Sequence, residues 1–334
     1  MKIIILAGGG GTRLYPLSTP EKPKQFLPLA EGKPLLINTI ERFLSVCRIQ
    51  DIVIVTGERY RELTQNTLSQ YGCEKVNIVY EPCARNTAPA IMLAVKYCIE
   101  KLNCGKDEIL FAAPSDHVIK PLDKYLETVK FAAESAKNGG IVTLGIAPTS
   151  PDTGFGYIKA EKSGGRIKKA LAFKEKPDRE TAQKYLESGD YYWNAGMFCF
   201  SACAFGSELK KNAAGLYNYY VKPYNEIVAA FGEVEKISID YAIAERSDNI
   251  SVVPCNFDWS DIGSWDAYYD YCDKDKDGNV IIGNVKAVDC TDSLILSNGC
   301  KIGVSGQCDA IIIVSGNNTV VLSRGRSQSV RELN

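Results

Sequence analysis

The stretch Ile3-Ile-Ile-Leu-Ala-Gly-Gly-Gly-Gly-Thr-Arg-Leu-Tyr-Pro-Leu-Ser18 joins an apolar run directly to four consecutive glycines. The run reads as a strand covered on both faces. Gly8 to Gly11 have no side chains to hold a phosphate at a distance, and they tolerate the positive φ that turns successive N–H groups into one anion-binding nest. A flexible turn is the plain alternative. The loop lacks the Lys-Ser/Thr ending of a P-loop, and G-x-G-x-x-G fails because Arg13 or Leu14 stands at the third glycine in either frame. Neither a P-loop nor a dinucleotide-binding fold is expected.

Working outward, Ile52 to Val55, Val76 to Tyr80 and Ile109 to Ala112 repeat the short apolar pattern of the first run. Helical stretches lie between them: one puts Leu36, Ile40, Phe43, Leu44 and Cys47 on one face, and another, starting near Asn86, stripes Ile91, Val95, Cys98 and Leu102. This alternation predicts an α/β fold with a mainly parallel sheet built from right-handed crossovers, with ligands beyond the carboxyl ends of the strands. Residues 140–272 add strands at Ile141 to Ile146, Tyr157 to Ala160, Ala170 to Lys174 and Met197 to Phe200. After Asp273 the texture changes: the charged stretch Asp273 to Gly278 leads into short runs such as Ile311 to Val314, punctuated by Gly and Asn. The expected organisation is a catalytic domain over 1–272 and a small C-terminal all-β domain over 277–334, the latter serving packing or self-association.

Composition narrows the function. The chain has 334 residues, 39 basic against 40 acidic, so it offers no general basic field for nucleic acid and no polybasic membrane patch. No apolar run approaches the roughly 20 residues of a membrane span, and the chain enters its first strand without a signal-like segment; the expectation is a cytoplasmic protein. Twelve scattered cysteines without a C-x-x-C pair argue against structural zinc and disulfides. The single histidine, His117, excludes any multi-histidine metal centre. It reads as a structural or substrate-contact residue rather than a general base.

The candidate chemistry lies near the glycine loop. Arg13 follows it closely, and Lys22-Pro-Lys24 comes soon after; a guanidinium and an ammonium there would neutralise a triphosphate and a departing pyrophosphate. Spacing does not choose between Lys22 and Lys24. The strand Ile109 to Ala112 delivers Asp116 to the same sheet edge, and a second aspartate, Asp261, follows the strand Ile250 to Val253. Both suit Mg²⁺, which takes one or two protein carboxylates and fills its octahedron with water and phosphate oxygens. Either alone reads equally as a turn or N-cap residue.

The sequence resembles the mannose-1-phosphate guanylyltransferase (GDP-mannose pyrophosphorylase) family. The resemblance rests on Ala7 to Leu14 with Pro16-Leu and Pro23-Lys-Gln-Phe-Leu, Glu81-Pro with Arg85-Asn-Thr-Ala-Pro-Ala90, Pro114-Ser-Asp-His117 and Gly154-Phe-Gly-Tyr157. It continues through Phe173-Lys-Glu-Lys-Pro177, Trp193-Asn-Ala-Gly-Met-Phe198, Ser238-Ile-Asp-Tyr241 and Trp259-Ser-Asp-Ile-Gly263. It implies a nucleotide-diphospho-sugar transferase fold, with a Rossmann-like, mainly parallel mixed sheet and a sugar-binding half, that makes GDP-mannose and pyrophosphate from GTP and mannose 1-phosphate with Mg²⁺. By matching position, Leu6, Gly8, Gly10, Gly11, Thr12 and Arg13 would hold the nucleotide, Lys24 would activate it, and Asn86 and Thr87 would lie near the guanosine. Glu175 and Asn194 would bind mannose hydroxyls, Gly156 would let the sugar approach the backbone, Lys176 would hold the sugar phosphate, and Asp116 and Asp261 would hold the metal. Arg85 either reads the base or stabilises its loop. The C-terminal β-rich segment also matches, the phosphomannose isomerase domain fused to some relatives is expected to be absent, and the expected assembly is a homodimer. Rival readings keep the fold but change the sugar or take UTP or dTTP, or make the chain a non-catalytic GDP-mannose sensor; the joint presence of Arg13, Lys24, Lys176 and both aspartates argues against the sensor.

Overall fold

A computed structural model describes residues 1–162 and 164–333, leaving Ser163 and Asn334 outside the described residues. The first half contains β1 (Lys2–Leu6), α1 (Leu35–Phe43), β2 (Ile52–Gly57), α2 (Arg61–Gln70), β3 (Asn77–Glu81), α3 (Thr87–Lys101), β4 (Ile109–Pro114), β5 (Val118–Lys120), α4 (Leu122–Ala136) and β6 (Ile141–Ile146). Next come β7 (Tyr157–Ala160), β8 (Lys168–Lys174), α5 (Arg179–Ser188), β9 (Tyr191–Ser201), α6 (Ala202–Asn212), α7 (Ala214–Tyr220), α8 (Tyr224–Ala229), β10 (Ile250–Pro254) and β11 (Asp258–Ser260). The chain ends with α9 (Trp265–Tyr271), β12 (Val280–Val288), β13 (Leu294–Ser305), β14 (Ala310–Ser315), β15 (Asn318–Ser323) and a 3-10 turn, Ser327–Glu332. It divides into two units: Met1–Gly8, Thr39–Ser115 and Ile119–Asp258 form one; Gly9–Asn38, Asp116–Val118 and the chain from Trp259 onward form the other.

The first unit is built on a nine-stranded sheet of order β3-β2-β1-β4-β9-β6-β10-β8-β7. Ile3, Ile4 and Ile5 have no exposed surface, which on a pleated strand requires cover on both faces. Each such side chain contributes about 1.5–3 kcal/mol of burial. On one face Ile4, Val53 and Val79 pack with Ile91, Val95 and Cys98 of α3 and with Phe198 and Phe200. The expected helix after Phe43 does not continue, so Leu44 is exposed. The sheet is less parallel than expected. β1 to β4 are parallel to one another and β6 is parallel to β10, but β9 runs antiparallel to β4, β6 and β7, and β8 runs antiparallel to β7 and β10. A strand buried on both faces is a continuous apolar run in either direction, so its sequence carries no sign of orientation.

The second unit holds β12 to β15 as a four-stranded sheet, parallel from β12 to β14 and closed by the antiparallel β15. A flat parallel crossover needs a dozen or more residues, yet β12, β13 and β14 are linked only by 289–293 and 306–309. The strands therefore succeed one another as turns of a coil, with Asp289, Asp292 and Asp309 at positive φ in its corners. Its apolar side joins a core containing Leu14, Leu27, Trp265, Tyr268, Leu294, Ile311 and Val330. The units thus divide the chain differently from the boundary expected at 272–277. The charged stretch there is a bonded turn: Asp275 accepts from the N–H of Asp277 (2.9 Å) and Asn279 (2.8 Å), and Tyr269 donates its hydroxyl to the Gly278 carbonyl at 2.6 Å.

Candidate active site

The second unit carries a cleft of about 410 Å³ walled by Gly9 to Arg13, Lys24, Gln25, Asp116, Asp261 to Gly263 and Arg331. Its glycine wall leaves β1 at Leu6, whose register partner is Pro114 of β4, so the loop and the segment carrying Asp116 depart from neighbouring strands. Gly11 sits at φ 43°, and a Cβ there would lie 2.9 Å from the Lys24 backbone nitrogen and Cβ. Gln25 Nε2 ties the loop down by donating to the Gly9 carbonyl at 3.1 Å. The following turn is anchored at Leu14, whose N–H donates to Ser18 Oγ at 3.0 Å.

Lys24 is buried at the start of a short 3-10 turn and lines the cleft, whereas Lys22 is exposed and outside that lining. The Lys24 ammonium lies 2.7 Å from Asp116 Oδ2 and donates to the backbone carbonyls of Asp261 and, at 3.4 Å, Ile262. Burial opposes ionisation of Asp116, but the charges of Lys24 and His117 outweigh it and hold the carboxyl below its ordinary value. Asp261 Oδ1 accepts from the Gly263 N–H at 3.0 Å. His117 Nε2 is 3.9 Å from Asp116 Oδ1, and its Nδ1 accepts from Trp259 Nε1 at 3.1 Å. Both candidate metal carboxylates therefore line one cleft, where two hard oxygen donors suit Mg²⁺; of the four glycines in its wall and at β1's end, only Gly11 has the positive φ expected of a nest. Arg13 lines the same cleft with an exposed side chain.

The remaining candidates belong to the first unit. Glu175 is buried, with its Oε1 2.7 Å from Lys176 Nζ and its N–H donating to Glu245 at 2.8 Å. Asn194 Oδ1 accepts from Thr143 Oγ1 and its Nδ2 donates to Asp240 Oδ1, both at 2.9 Å. Gly156 accepts the Asn194 N–H at 2.8 Å through its carbonyl, and a Cβ on it would meet Glu175 Oε2 at 2.6 Å. Its lack of a side chain thus makes room for Glu175. Asn86 caps α3 by accepting from the Thr87 N–H at 2.8 Å, and Thr87 Oγ1 accepts from the Ile239 N–H at 2.9 Å. Arg85 donates to the Gly232 carbonyl, a loop-holding contact. Gly8 backs onto Glu81, whose Oε2 would stand 2.7 Å from a Cβ at that position.

Three residues escaped the sequence reading. Glu81 is buried and pushed up to about 7 by that burial. Asp240 is raised to about 6, first by burial and then by the charge of Glu175. Arg331 reaches the cleft from the C-terminal turn. Glu81 and Asp240 both lie in segments that carried the resemblance, but only their burial distinguishes them from ordinary surface acids; nothing in the sequence marked Arg331.

Fold and cleft together define a nucleotide-handling enzyme class, and the chain belongs to the Nucleotidyl transferase family, which matches residues 2–278. It is 36% identical over 341 residues to the mannose-1-phosphate guanylyltransferase RfbM of Salmonella typhimurium strain LT2, covering 99% of this chain and 71% of that protein. It is 38% identical over 340 residues to the xanthan biosynthesis protein XanB of Xanthomonas campestris pv. campestris, covering 99% of this chain and 72% of that one. The chain thus spans about seven-tenths of these curated relatives. A crystal structure described as a mannose-1-phosphate geranyltransferase from Thermus thermophilus superposes with a TM-score of 0.89 at 28% identity, covering 99% of this chain and 97% of that one. Among the described residues, no helix is long and apolar enough to cross a membrane.

Proposed function

We propose that this chain transfers GMP from GTP to α-D-mannose 1-phosphate, giving GDP-mannose and pyrophosphate. The observation that carries the reading is the glycine-walled cleft, in which Lys24, Asp116 and Asp261 converge beside Arg13; the relatives' activity supplies the substrates. A phosphate oxygen of mannose 1-phosphate attacks the α-phosphorus of GTP, a new P–O bond forms, and the bond to the pyrophosphate oxygen breaks. No general base is required, because a phosphate monoester with a second pKa of ~6 is mostly dianionic at neutral pH. This accounts for a chain with one histidine running the reaction.

What remains is to hold two polyanions together. The loop amides from Gly9 to Thr12 receive phosphate oxygens, and Arg13 offsets their charge. Lys24 fixes Asp116 and the Asp261 backbone in place. Asp116 and Asp261 would hold Mg²⁺, which when bound supplies charge neutralisation to the phosphates. Glu175 and Asn194 take mannose hydroxyls, and Lys176, with its exposed ammonium, takes the sugar phosphate. The reading extends to a cytoplasmic homodimer.

A matrix of four nucleoside triphosphates against mannose, glucose and related 1-phosphates, with Mg²⁺, tests this. GTP with mannose 1-phosphate should give the highest yield of nucleotide sugar. A different best pair would replace the substrate assignment, and tight GDP-mannose binding without pyrophosphate release would make the chain a sensor. Asp261→Asn should lower kcat by about 100-fold, the scale of losing one placed electrostatic group, with unchanged melting. Near wild-type turnover would remove Asp261 from the metal site.

A further inference from the structure

We propose that Arg331 binds the triphosphate toward the end that leaves as pyrophosphate, so that the C-terminal coil supplies part of the substrate site. The proposal rests on the nucleotidyl-transfer reading and adds a residue to it.

The cleft is short of free positive charge without this residue. Lys24 has three N–H donors, and three protein acceptors surround it: Asp116 Oδ2 and the carbonyls of Asp261 and Ile262. Its charge is already balanced by Asp116. Arg13 and Arg331 also line the cleft, and neither makes a hydrogen bond or ion pair with another described residue. A nucleoside triphosphate brings several negative charges, most of them toward its terminal phosphates. Guanidinium groups answer such charge with paired donors.

The placement of Arg331 is built rather than incidental. Its neighbour Val330 is 1% exposed and packs in the core that includes Leu14. Asp266, in the first turn of α9, accepts from the Gly325 N–H at 2.8 Å, the Ser327 N–H at 3.1 Å and the Ser327 hydroxyl at 2.5 Å. The Asp266 N–H in turn donates to Ser327 Oγ at 3.2 Å. The Ser327–Glu332 turn so fixed packs against the Thr12–Leu14 turn that carries Arg13. Two unpaired guanidiniums thus enter one cleft from adjoining 3-10 turns, leaving the bound phosphates as their partners.

Calorimetric titration of Arg331→Ala and Arg331→Lys with GTP, GMP and pyrophosphate in Mg²⁺, alongside steady-state kinetics, tests this. Arg331→Ala should weaken GTP and pyrophosphate by about 10-fold or more, as expected for losing a charge-assisted hydrogen bond. GMP affinity, the KM for mannose 1-phosphate and the melting temperature should not change, and Arg331→Lys should recover part of the loss. Unchanged GTP and pyrophosphate binding would overturn the proposal. So would equal weakening of all three ligands together with a lowered melting temperature, the pattern of a merely structural residue. Wild-type protein that binds pyrophosphate but makes no nucleotide sugar would instead defeat the reading of the reaction and leave the Arg331 comparison intact.

Discussion

Glu81 ends β3 as a buried carboxyl that finds no hydrogen bond or ion pair among the described residues, and burial pushes it up to about 7 from an ordinary 4.5. Because its folded value lies above its unfolded one, the folded chain holds the extra proton between those two values. Stability therefore falls as pH rises through that window, and the full cost, about 1–3 kcal/mol, is present above it. Glu81→Gln should recover that amount at pH 8 and nothing at pH 4 in denaturant titrations. Equal stability of the two proteins at pH 8 would remove that cost from Glu81. As a strand-end acid, Glu81 gave no hint of its burial in sequence; a side chain at Gly8, more than seventy positions away, would meet its carboxyl. Asp240 was hidden for a related reason, since it opens a five-residue π-helical turn with no apolar periodicity to read.

At the scale of elements, the strand ahead of the four glycines was legible: it ends at Leu6, and Gly9 to Gly11 line the cleft. Local spacing left the choice between Lys22 and Lys24 open, and what it did not show is a packing contact: the αL conformation and missing Cβ of Gly11 admit the Lys24 backbone. Gly11→Ala combines positive-φ strain with that 2.9 Å clash, at about 1–3 kcal/mol. It should shift Lys24 away from Asp116 and reduce kcat/KM by about 100-fold while the protein still melts cooperatively. Intact activity in that variant would show that Lys24 needs no such seat. Strand positions were also readable, with β6 and β7 found at their expected bounds. Direction was not, because β4 and β9 are both apolar runs whose order is set by long-range pairing.

Across the whole molecule, the composition changes after Asp273, and the strands beyond it share a core with Leu14 and Trp265. A true linker would be solvated, whereas Asn279 is 4% exposed and donates to the Cys290 carbonyl at 2.8 Å. Cutting the chain after Cys272 would strip Leu294, Ile311 and Val330 from Leu14 and Trp265. Residues 1–272 alone should therefore aggregate or bind apolar dyes such as ANS, and show no transferase activity. A soluble, active fragment would support the two-domain division read from composition. His117, the chain's one imidazole, accepts from the Trp259 indole at Nδ1 and has its Nε2 3.9 Å from Asp116. A proton NMR spectrum of unlabelled protein consequently holds the Hε1 and Hδ2 lines of one imidazole, one side chain from the cleft. Titrating magnesium, GTP or pyrophosphate against those lines would report occupancy without any probe being introduced.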